Sequence, residues 1–362
     1  MLKSAARPAI CFVLMLWIFH SIFVNEARHL APPSEPASAW DQLPLPEQWK
    51  RAWTLGPRSL GKTLASMPPA WLAVSLVFMG ATLALGVARW KMALELQKIP
   101  LDSKRATTFS LIAHFFNSFL LGSTGGDLMK AYYAAGETQH LKTEAVVTVV
   151  VDRIFGLFSM LAFAVAMIPF NWPRIHASAP VQSLSYFVFA MFATLTLLGG
   201  ALLWSGLSKR FPQVRPWLRR LPQGETLEKS VEACRPFGRN PSYLIRSLLL
   251  SALLNACCVL QVAALAKGLQ LHIPVSFLLL IVPSIICVSA LPITPSGLGV
   301  RENLYVATLA SPAWGVSATA ALSLALLAYA GSLFWSMIGG LVYLCSRDRR
   351  SLASPSSTPG HE

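Results

Sequence analysis

The charged residues that interrupt the apolar parts of this sequence are those whose types and spacing could do chemistry. They form three acid–base pairs, Asp127 with Lys130, Asp152 with Arg153, and Arg301 with Glu302. A charge inside a membrane is costly unless it is paired or reaches water, so such residues are usually functional. The three acids and three bases sum to zero, as a shared buried network of ion pairs requires. Alternatively, the pairs only lock helices together, or the first pair lies among cytoplasmic headgroups.

Glycine turns precede the first and the third of these pairs. The turns contain Gly125 and Gly126, and Gly297 and Gly299. If a helix begins at each turn, its unpaired N–H groups and the positive end of its dipole favour an anion such as phosphate. Glycine would let the backbone approach that ligand closely.

Cations accompany both turns. Lys130 and Arg301 would add positive charge to the anion site, and Arg301 can bind a phosphate through two hydrogen bonds. Asp127 follows the first turn directly, so capping of its helix is the simpler role for this residue.

Composition places these residues in a membrane. Hydrophobic residues make up 54% of the 362-residue chain and charged residues only 13%, with a mean hydropathy of +0.53. Ordinary soluble domains carry about 25% charged residues. The composition therefore excludes a soluble globular protein and predicts an all-α polytopic membrane protein. In a membrane protein the net charge of +14 is expected to determine the orientation of the helices, so nucleic acid is not an expected partner.

Six apolar stretches are long enough to cross a hydrocarbon core, which takes roughly 20 residues of helix. The expected spans are residues 9–24, 70–88, 144–169, 181–204, 244–265 and 317–345. Arg89 and Lys91 are expected to close the second span.

Two further segments are too short to cross. Residues 107–121 and 276–290 contain 15 residues each, which reach only ~22 Å as a helix, and both run into glycine or proline. If each dips into the membrane and returns to the same side, 20 lysines and arginines lie inside and seven outside, with Arg153, Arg246 and Arg301 set aside. This agrees with the positive-inside rule, and the balance reverses if the first segment spans.

The two hairpins would enter from opposite faces, and each is followed by a full span. This is typical of an inverted repeat, in which interrupted helices from two halves form a binding site near the midplane. The alternative is a pair of ordinary helices kinked by glycine and proline, which membrane helices tolerate.

The chain divides into four parts. We expect an uncleaved anchor helix over 1–24, a Pro/Trp-rich irregular extracytoplasmic loop over 25–69, the transmembrane domain over 70–345 and a polar tail over 346–362. The charge distribution predicts that both termini and a basic loop at 205–243 are cytoplasmic.

Three motifs in this order resemble the lysylphosphatidylglycerol synthase transmembrane-region family, also described as flippase-like integral membrane proteins. The motifs are Asn117-x-x-x-Leu121-Gly122-x-x-Gly125-Gly126-Asp127-x-x-Lys130, Asp152-Arg153-x-x-Gly156-Leu157 and Leu291-Pro292-x-x-Pro295-x-Gly297-x-Gly299-Val300-Arg301-Glu302. The resemblance covers roughly residues 60–345. The family usually has proline at the position of Leu121 and arginine at that of Lys130, so the first turn is expected to be set less sharply.

The resemblance implies lipid handling. With the anion geometry, it predicts a protein that binds and translocates a phospholipid or a lipid-linked, phosphate-bearing intermediate across the cytoplasmic membrane. The predicted headgroup site consists of Asn117, Gly125, Gly126, Asp127, Lys130, Asp152, Arg153, Pro292, Pro295, Gly297, Gly299, Arg301 and Glu302. No catalytic residue, metal or cofactor is predicted, and the expected partners are anionic or phosphate-bearing membrane lipids.

Two other classes of function stay open. A membrane-embedded transferase acting on a lipid phosphate would use Asp127 or Glu302 as general base, although the sequence has no recognisable nucleophile or metal motif. An accessory protein would position a lipid-biosynthesis enzyme as its partner. In fused family members a separate soluble domain transfers the aminoacyl group, and only 17 residues follow Cys345 here, so lysyltransferase activity is not expected.

Overall fold

The computed structural model describes residues 20, 23–24, 27–28, 40, 42–119, 125–138, 140–203, 224–291, 297, 299–310, 316 and 318–345. Within these ranges the chain is helical and contains no β-strand, which confirms the all-α prediction. The α-helices are α1 Leu45–Ser66, α2 Pro69–Leu96, α3 Ser103–Phe119, α4 Gly125–Gly136, α5 Lys142–Met167, α6 Trp172–His176, α7 Ala179–Leu203, α8 Gly224–Arg239, α9 Pro241–Gly268, α10 Val275–Ser289, α11 Val300–Leu309 and α12 Ala318–Cys345.

Five of the described helices are long and apolar enough to cross a membrane: α2, α5, α7, α9 and α12. They match five of the six expected spans and make the chain a multi-pass membrane protein. The sixth, residues 9–24, lies almost entirely outside the described residues. α2 packs along α9, and α5 packs against α7 and α9, so these spans form one bundle.

The second span runs further than its flanking charges indicated. α2 continues to Leu96, and Arg89 lies inside it with only 7% of its surface exposed. The expected end at residue 88 was wrong because Arg89 has a buried carboxylate partner, Asp152. A paired charge avoids most of the cost of burying an isolated one.

Both short segments are helices that stop and are followed by a second short helix. α3 has 17 residues and α10 has 15, so at about 1.5 Å per residue both are shorter than a ~30 Å core. α4 packs along α3, and α11 packs against α10. The connections at 120–124 and 292–296 lie outside the described residues. The faces from which the two hairpins enter stay a prediction.

The first hairpin consists of α3 and α4, and contacts fix these two helices against each other at both ends of the hairpin. A Cβ atom at Gly126 would overlap the backbone carbonyl oxygen of Ala113, so only glycine lets α4 approach α3 this closely. At the other end, Arg105 Nη1 lies 2.7 Å from Glu137 Oε2. These contacts fix the position of α4 relative to α3.

On its other side, α3 packs against α12. A Cβ atom at Gly339 would overlap the backbone carbonyl oxygen of Leu111. We therefore expect Gly339→Ala to lower the free energy of unfolding by about 1–3 kcal/mol, the usual cost of overpacking, as measured by thermal unfolding in detergent. Gly199→Ala is the matched control, because a Cβ atom there has no neighbour within 4 Å. Equal losses of stability in both variants would contradict the close contact.

The segment before α2 is partly helical, although an irregular loop was expected. α1 spans Leu45–Ser66 and contains Pro57. Trp53 Nε1 donates to His20 Nδ1 at 3.0 Å, and the Phe23 ring lies against Gly56. Packing against these N-terminal residues supplies burial that a proline-rich composition does not reveal.

Helical structure also occurs in the basic region expected as a loop at 205–243. α8 covers Gly224–Arg239, and its Phe237 contacts Tyr243 at the start of α9. Residues 204–223 lie outside the described residues.

Candidate functional site

A cavity of about 360 Å³ is lined by residues of both hairpins. Its walls come from α3, α4, α10 and α11 and from four spans, α2, α5, α9 and α12. Asp152 and Ser251 reach the cavity from positions roughly 15 Å along their helices, at about 1.5 Å per residue, from Lys142 and Pro241. The cavity therefore lies at the depth of the membrane interior, and the structure brings the two interrupted helix pairs together there.

Asp152 holds two cations from other helices. Arg89 Nε lies 2.7 Å from Asp152 Oδ1, and Arg89 Nη1 donates to Ser251 Oγ at 2.8 Å. Lys130 Nζ lies 3.6 Å from Asp152 Oδ2 and 4.2 Å from the centre of the Trp90 ring. All three charged residues are buried. This cluster therefore carries a net charge of +1 inside the protein.

Gly156, in the second sequence motif, leaves room for this arrangement. A Cβ atom there would lie 3.0 Å from Arg89 Nη2. Asp152 and Gly156 are one helical turn apart and so share a face of α5. The motif thus combines the carboxylate that pairs with Arg89 and the glycine against which the guanidinium packs.

Arg301 and Glu302 form an ion pair in the second hairpin. Arg301 Nη2 contacts Glu302 Oε1, and Glu302 Oε2 accepts a hydrogen bond from the Gly299 N–H at 2.6 Å. Glu302 is fully buried, whereas Arg301 lines the cavity with its guanidinium carbon 4.0 Å from the centre of the Tyr329 ring. Glu302 therefore caps α11 and orients Arg301 from behind the cavity wall.

Three cavity-lining residues each carry a buried polar atom that has no hydrogen-bond partner within the described part of the chain. These atoms are Arg301 Nε, Asn255 Nδ2 and Ser289 Oγ. Asn255 is only 1% exposed. Buried polar groups without partners are destabilising, and a bound water or ion is one explanation for them. Here they come from α11, α9 and α10, so unsatisfied polar groups lie on three sides of the cavity.

Asp152 and Arg153, which are neighbours in the sequence, have different partners in the ion-pair network. Neighbouring helix residues point about 100° apart, so the two side chains reach different partners. Arg153 Nε lies 3.6 Å from Asp127 Oδ2, and both of these residues line the cavity. Asp127 thus forms an ion pair between α4 and α5.

The glycine turns do not present all the N–H groups expected of an anion cradle. The Gly126 N–H donates to Asn117 Oδ1 at 2.8 Å, and the Gly299 N–H is bound to Glu302. Side-chain oxygens of the protein therefore occupy the anion position at these two groups. Glycine is still required at 297 and 299, where φ is +70° and +82°, values that other residues rarely adopt.

The structure places the remaining predicted site residues as follows. Gly125 is buried at the start of α4. Pro292 and Pro295 lie outside the described residues.

The sequence-based prediction missed several residues of the cavity wall. They are Arg89, His114, Asn255 and Ser289. Arg89 looked like a charge flanking a span, although the apolar residues that continue to Leu96 were a signal that the helix goes on. Asn255 is one of two amides, with Gln261, in a long uncharged apolar run, which is a second available signal.

Arg89 changes the balance of charge. The network contains four cations and three carboxylates, Arg89, Lys130, Arg153 and Arg301 against Asp127, Asp152 and Glu302. Four minus three leaves +1. The expected sum of zero was therefore wrong by one residue.

Membrane spans arranged around two interrupted helix pairs that meet at a charged cavity define a multi-pass membrane protein with a polar site at its centre. The model of the family named Lysylphosphatidylglycerol synthase TM region matches residues 49–340. The chain belongs to this family, which confirms the resemblance carried by the three motifs. No curated protein matches the chain significantly.

Proposed function

We propose that the protein binds the phosphate-bearing headgroup of an anionic lipid in the central cavity and moves that lipid across the cytoplasmic membrane, with both termini in the cytoplasm. The observation that carries the proposal is the surplus positive charge of the ion-pair network around the cavity, to which Lys130 contributes from behind the lining residues. Buried donors that lack partners within the described residues lie beside it. The family adds support, because it is the membrane region of lysylphosphatidylglycerol synthase-like proteins and so has a role with membrane lipids.

The surplus of one positive charge in the ion-pair network favours a ligand with one negative charge. A buried cation without a counter-charge is destabilising, and a phosphodiester would supply one negative charge in compensation. Its oxygens would also accept hydrogen bonds from Arg301 Nε and Asn255 Nδ2. Hydrogen bonds to a charged group are about twice as strong as those between neutral groups.

The depth of the cavity favours a lipid over a dissolved anion. Asp152, Ser251 and Asn255 belong to membrane-spanning helices, well inside their ends. A headgroup bound among them lies between the two leaflets, on the path that a translocated lipid must take. Interrupted helices that meet at the midplane are a common way to build such a transport site.

Asn255→Leu tests the proposal. The substitution removes an unpartnered buried donor, so the folded protein should be as stable as the native chain or slightly more so. Loss of a hydrogen bond to a charged ligand is worth about 1.5–3 kcal/mol, so binding should weaken by roughly 10–100-fold. The measurements are thermal unfolding in detergent, and binding and movement of dye-labelled phosphatidylglycerol in reconstituted vesicles.

Thr196→Val is the matched control for Asn255→Leu. Thr196 is exposed on α7, and its hydroxyl donates only to the Phe192 carbonyl oxygen of its own helix. Transport should be unchanged in this variant. Native rates of lipid movement in Asn255→Leu would contradict the proposed headgroup site.

The transferase alternative has less support from the geometry. Both carboxylate oxygens of Glu302 are bound within the protein, and Asp127 is paired with Arg153. Incubation of the purified protein with candidate lipids and donors, followed by mass spectrometry, separates the two classes. A covalently altered lipid would favour the transferase.

A further inference from the structure

The size of the cavity constrains how a lipid occupies it. At about 360 Å³, the cavity is near the lower end of the ~300–1,000 Å³ range of pockets that hold one drug-sized ligand. It has room for a headgroup but not for two acyl chains as well. A lipid with its headgroup in the cavity must therefore pass its acyl chains through the protein wall into the bilayer.

The charged residues around the cavity differ in how deeply they are buried. The side chains of the Arg89–Asp152, Lys130–Asp152 and Arg301–Glu302 pairs are 14% exposed or less. By contrast, Arg153 and Asp127 are 32% and 28% exposed, although both also line the cavity. This ion pair is therefore the most exposed of the four around the cavity.

The surface beside this ion pair is apolar. On α4, Leu128 and Tyr132 are strongly exposed and lie one turn apart on the same face. On α5, Val150 and Ile154 are exposed in the same way. Exposed apolar residues thus occur on both helices, next in sequence to Asp127 on α4 and to Arg153 on α5.

We propose that the seam between α4 and α5 is a lateral slot for the acyl chains of the transported lipid, and that the Asp127–Arg153 ion pair is its latch. The inference rests on the proposed function. A lipid matches this surface, because the charged pair lines the headgroup cavity and the apolar side chains beside it are exposed.

The arrangement of the two helices suits such a latch. A lipid phosphate in the cavity offers Arg153 a second anionic partner, which releases Asp127. α4 ends at Gly136 and α5 begins at Lys142, so a short connection holds the helices together at that end. They therefore separate most easily toward the opposite end, where the Asp127–Arg153 pair and the more deeply buried Lys130–Asp152 pair both cross the seam.

A reversible cross-link across the seam tests the slot. Leu128→Cys and Ile154→Cys are introduced together into a chain whose six native cysteines are replaced by alanine or serine, and the pair is joined with a bis-methanethiosulfonate reagent. In reconstituted vesicles, cross-linking should remove most transport of dye-labelled phosphatidylglycerol. Dithiothreitol, which reduces the new disulfides, should restore it.

The matched control joins α5 to a different neighbour. Phe158 and Phe192 face each other across the α5–α7 contact, with ring centres 5.4 Å apart. Cross-linking Phe158→Cys to Phe192→Cys should leave transport unchanged. Transport that survives complete cross-linking of residues 128 and 154 would overturn the slot and leave the proposed function intact. Absence of transport in the native chain would overturn the proposed function, and the slot with it.

Photolabelling provides a second test on the native chain. Phosphatidylglycerol with a diazirine in one acyl chain should label residues 128–132 and 150–154, and this labelling should fall when unlabelled phosphatidylglycerol replaces a zwitterionic carrier lipid. Labelling of Phe187 and Phe189, which are exposed on α7, should not fall. Competed labelling confined to other helices would overturn the slot.

Discussion

Replacing Asp152 with leucine should cause the largest loss of stability of any single substitution at the site. It leaves Arg89 and Lys130 buried without their shared carboxylate. Removal of one partner from a buried ion pair costs about 3–5 kcal/mol, and here two cations lose their partner at once. We expect a lower melting temperature in detergent, measured by thermal unfolding followed by tryptophan fluorescence.

Lys130→Met tests the role of the surplus charge in this cluster without disrupting the buried pair of Arg89 and Asp152. The substitution removes the surplus positive charge but keeps the 2.7 Å contact between Arg89 and Asp152. The melting temperature should stay close to that of the native chain, while binding of phosphatidylglycerol weakens. An Asp152→Leu chain as stable as the native one would contradict the cluster. Native lipid affinity in Lys130→Met would contradict the role of the surplus charge.

Replacing Arg301 with alanine should abolish lipid transport and also destabilise the protein. Arg301 supplies a buried donor to the cavity, and it is the cation that neutralises fully buried Glu302. Its loss leaves Glu302 as an uncompensated charge, at a cost of about 3–5 kcal/mol. The single variant therefore confounds folding with function.

The double variant Arg301→Ala, Glu302→Gln removes that ambiguity. Glutamine has no charge to neutralise, and its side-chain oxygen can still accept the hydrogen bond from the Gly299 N–H. We expect the melting temperature to recover most of the loss, whereas transport in reconstituted vesicles stays absent. A double variant that folds and moves phosphatidylglycerol at the native rate would exclude Arg301 as a headgroup ligand.

The membrane helices were predictable because length and composition decide them. Residues 276–290 contain no charge and too few residues to cross, and the structure has a helix there, Val275–Ser289. The glycines at 297 and 299 likewise indicated a turn, and both adopt positive φ angles. These features depend on local sequence, so one chain suffices to find them.

The partners of the charged residues were not predictable in the same way. Asp152 and Arg153 are neighbours in sequence, yet Asp152 pairs with α2 and α4 while Arg153 pairs with Asp127. The choice depends on how α2 and α4 are placed around α5, and a single sequence does not contain that information. The same reason explains why the burial of Arg89 was not predicted. Arg89 lies at the end of an apolar stretch, and its partner Asp152 follows 63 residues later in the sequence.

Two N–H groups of the expected anion cradle are bound within the protein, for a related reason. A glycine-rich helix start indicates free N–H groups, but it does not indicate to which acceptor they donate. In the structure Asn117 and Glu302 are the acceptors for Gly126 and Gly299. Side chains rather than backbone therefore carry most of the candidate site.

The two glycine contacts of α3 have a consequence for how the protein moves. Gly126 of α4 and Gly339 of α12 both lie directly against backbone carbonyl groups of α3. Backbone that is in contact at these two points leaves little room for the helices to slide past one another during a conformational change. We therefore expect α3, α4 and α12 to move as one rigid block. Opening between α4 and α5 would then be a rocking of this block against the helices that pack on α5, and its hinge would lie in the connections between the blocks.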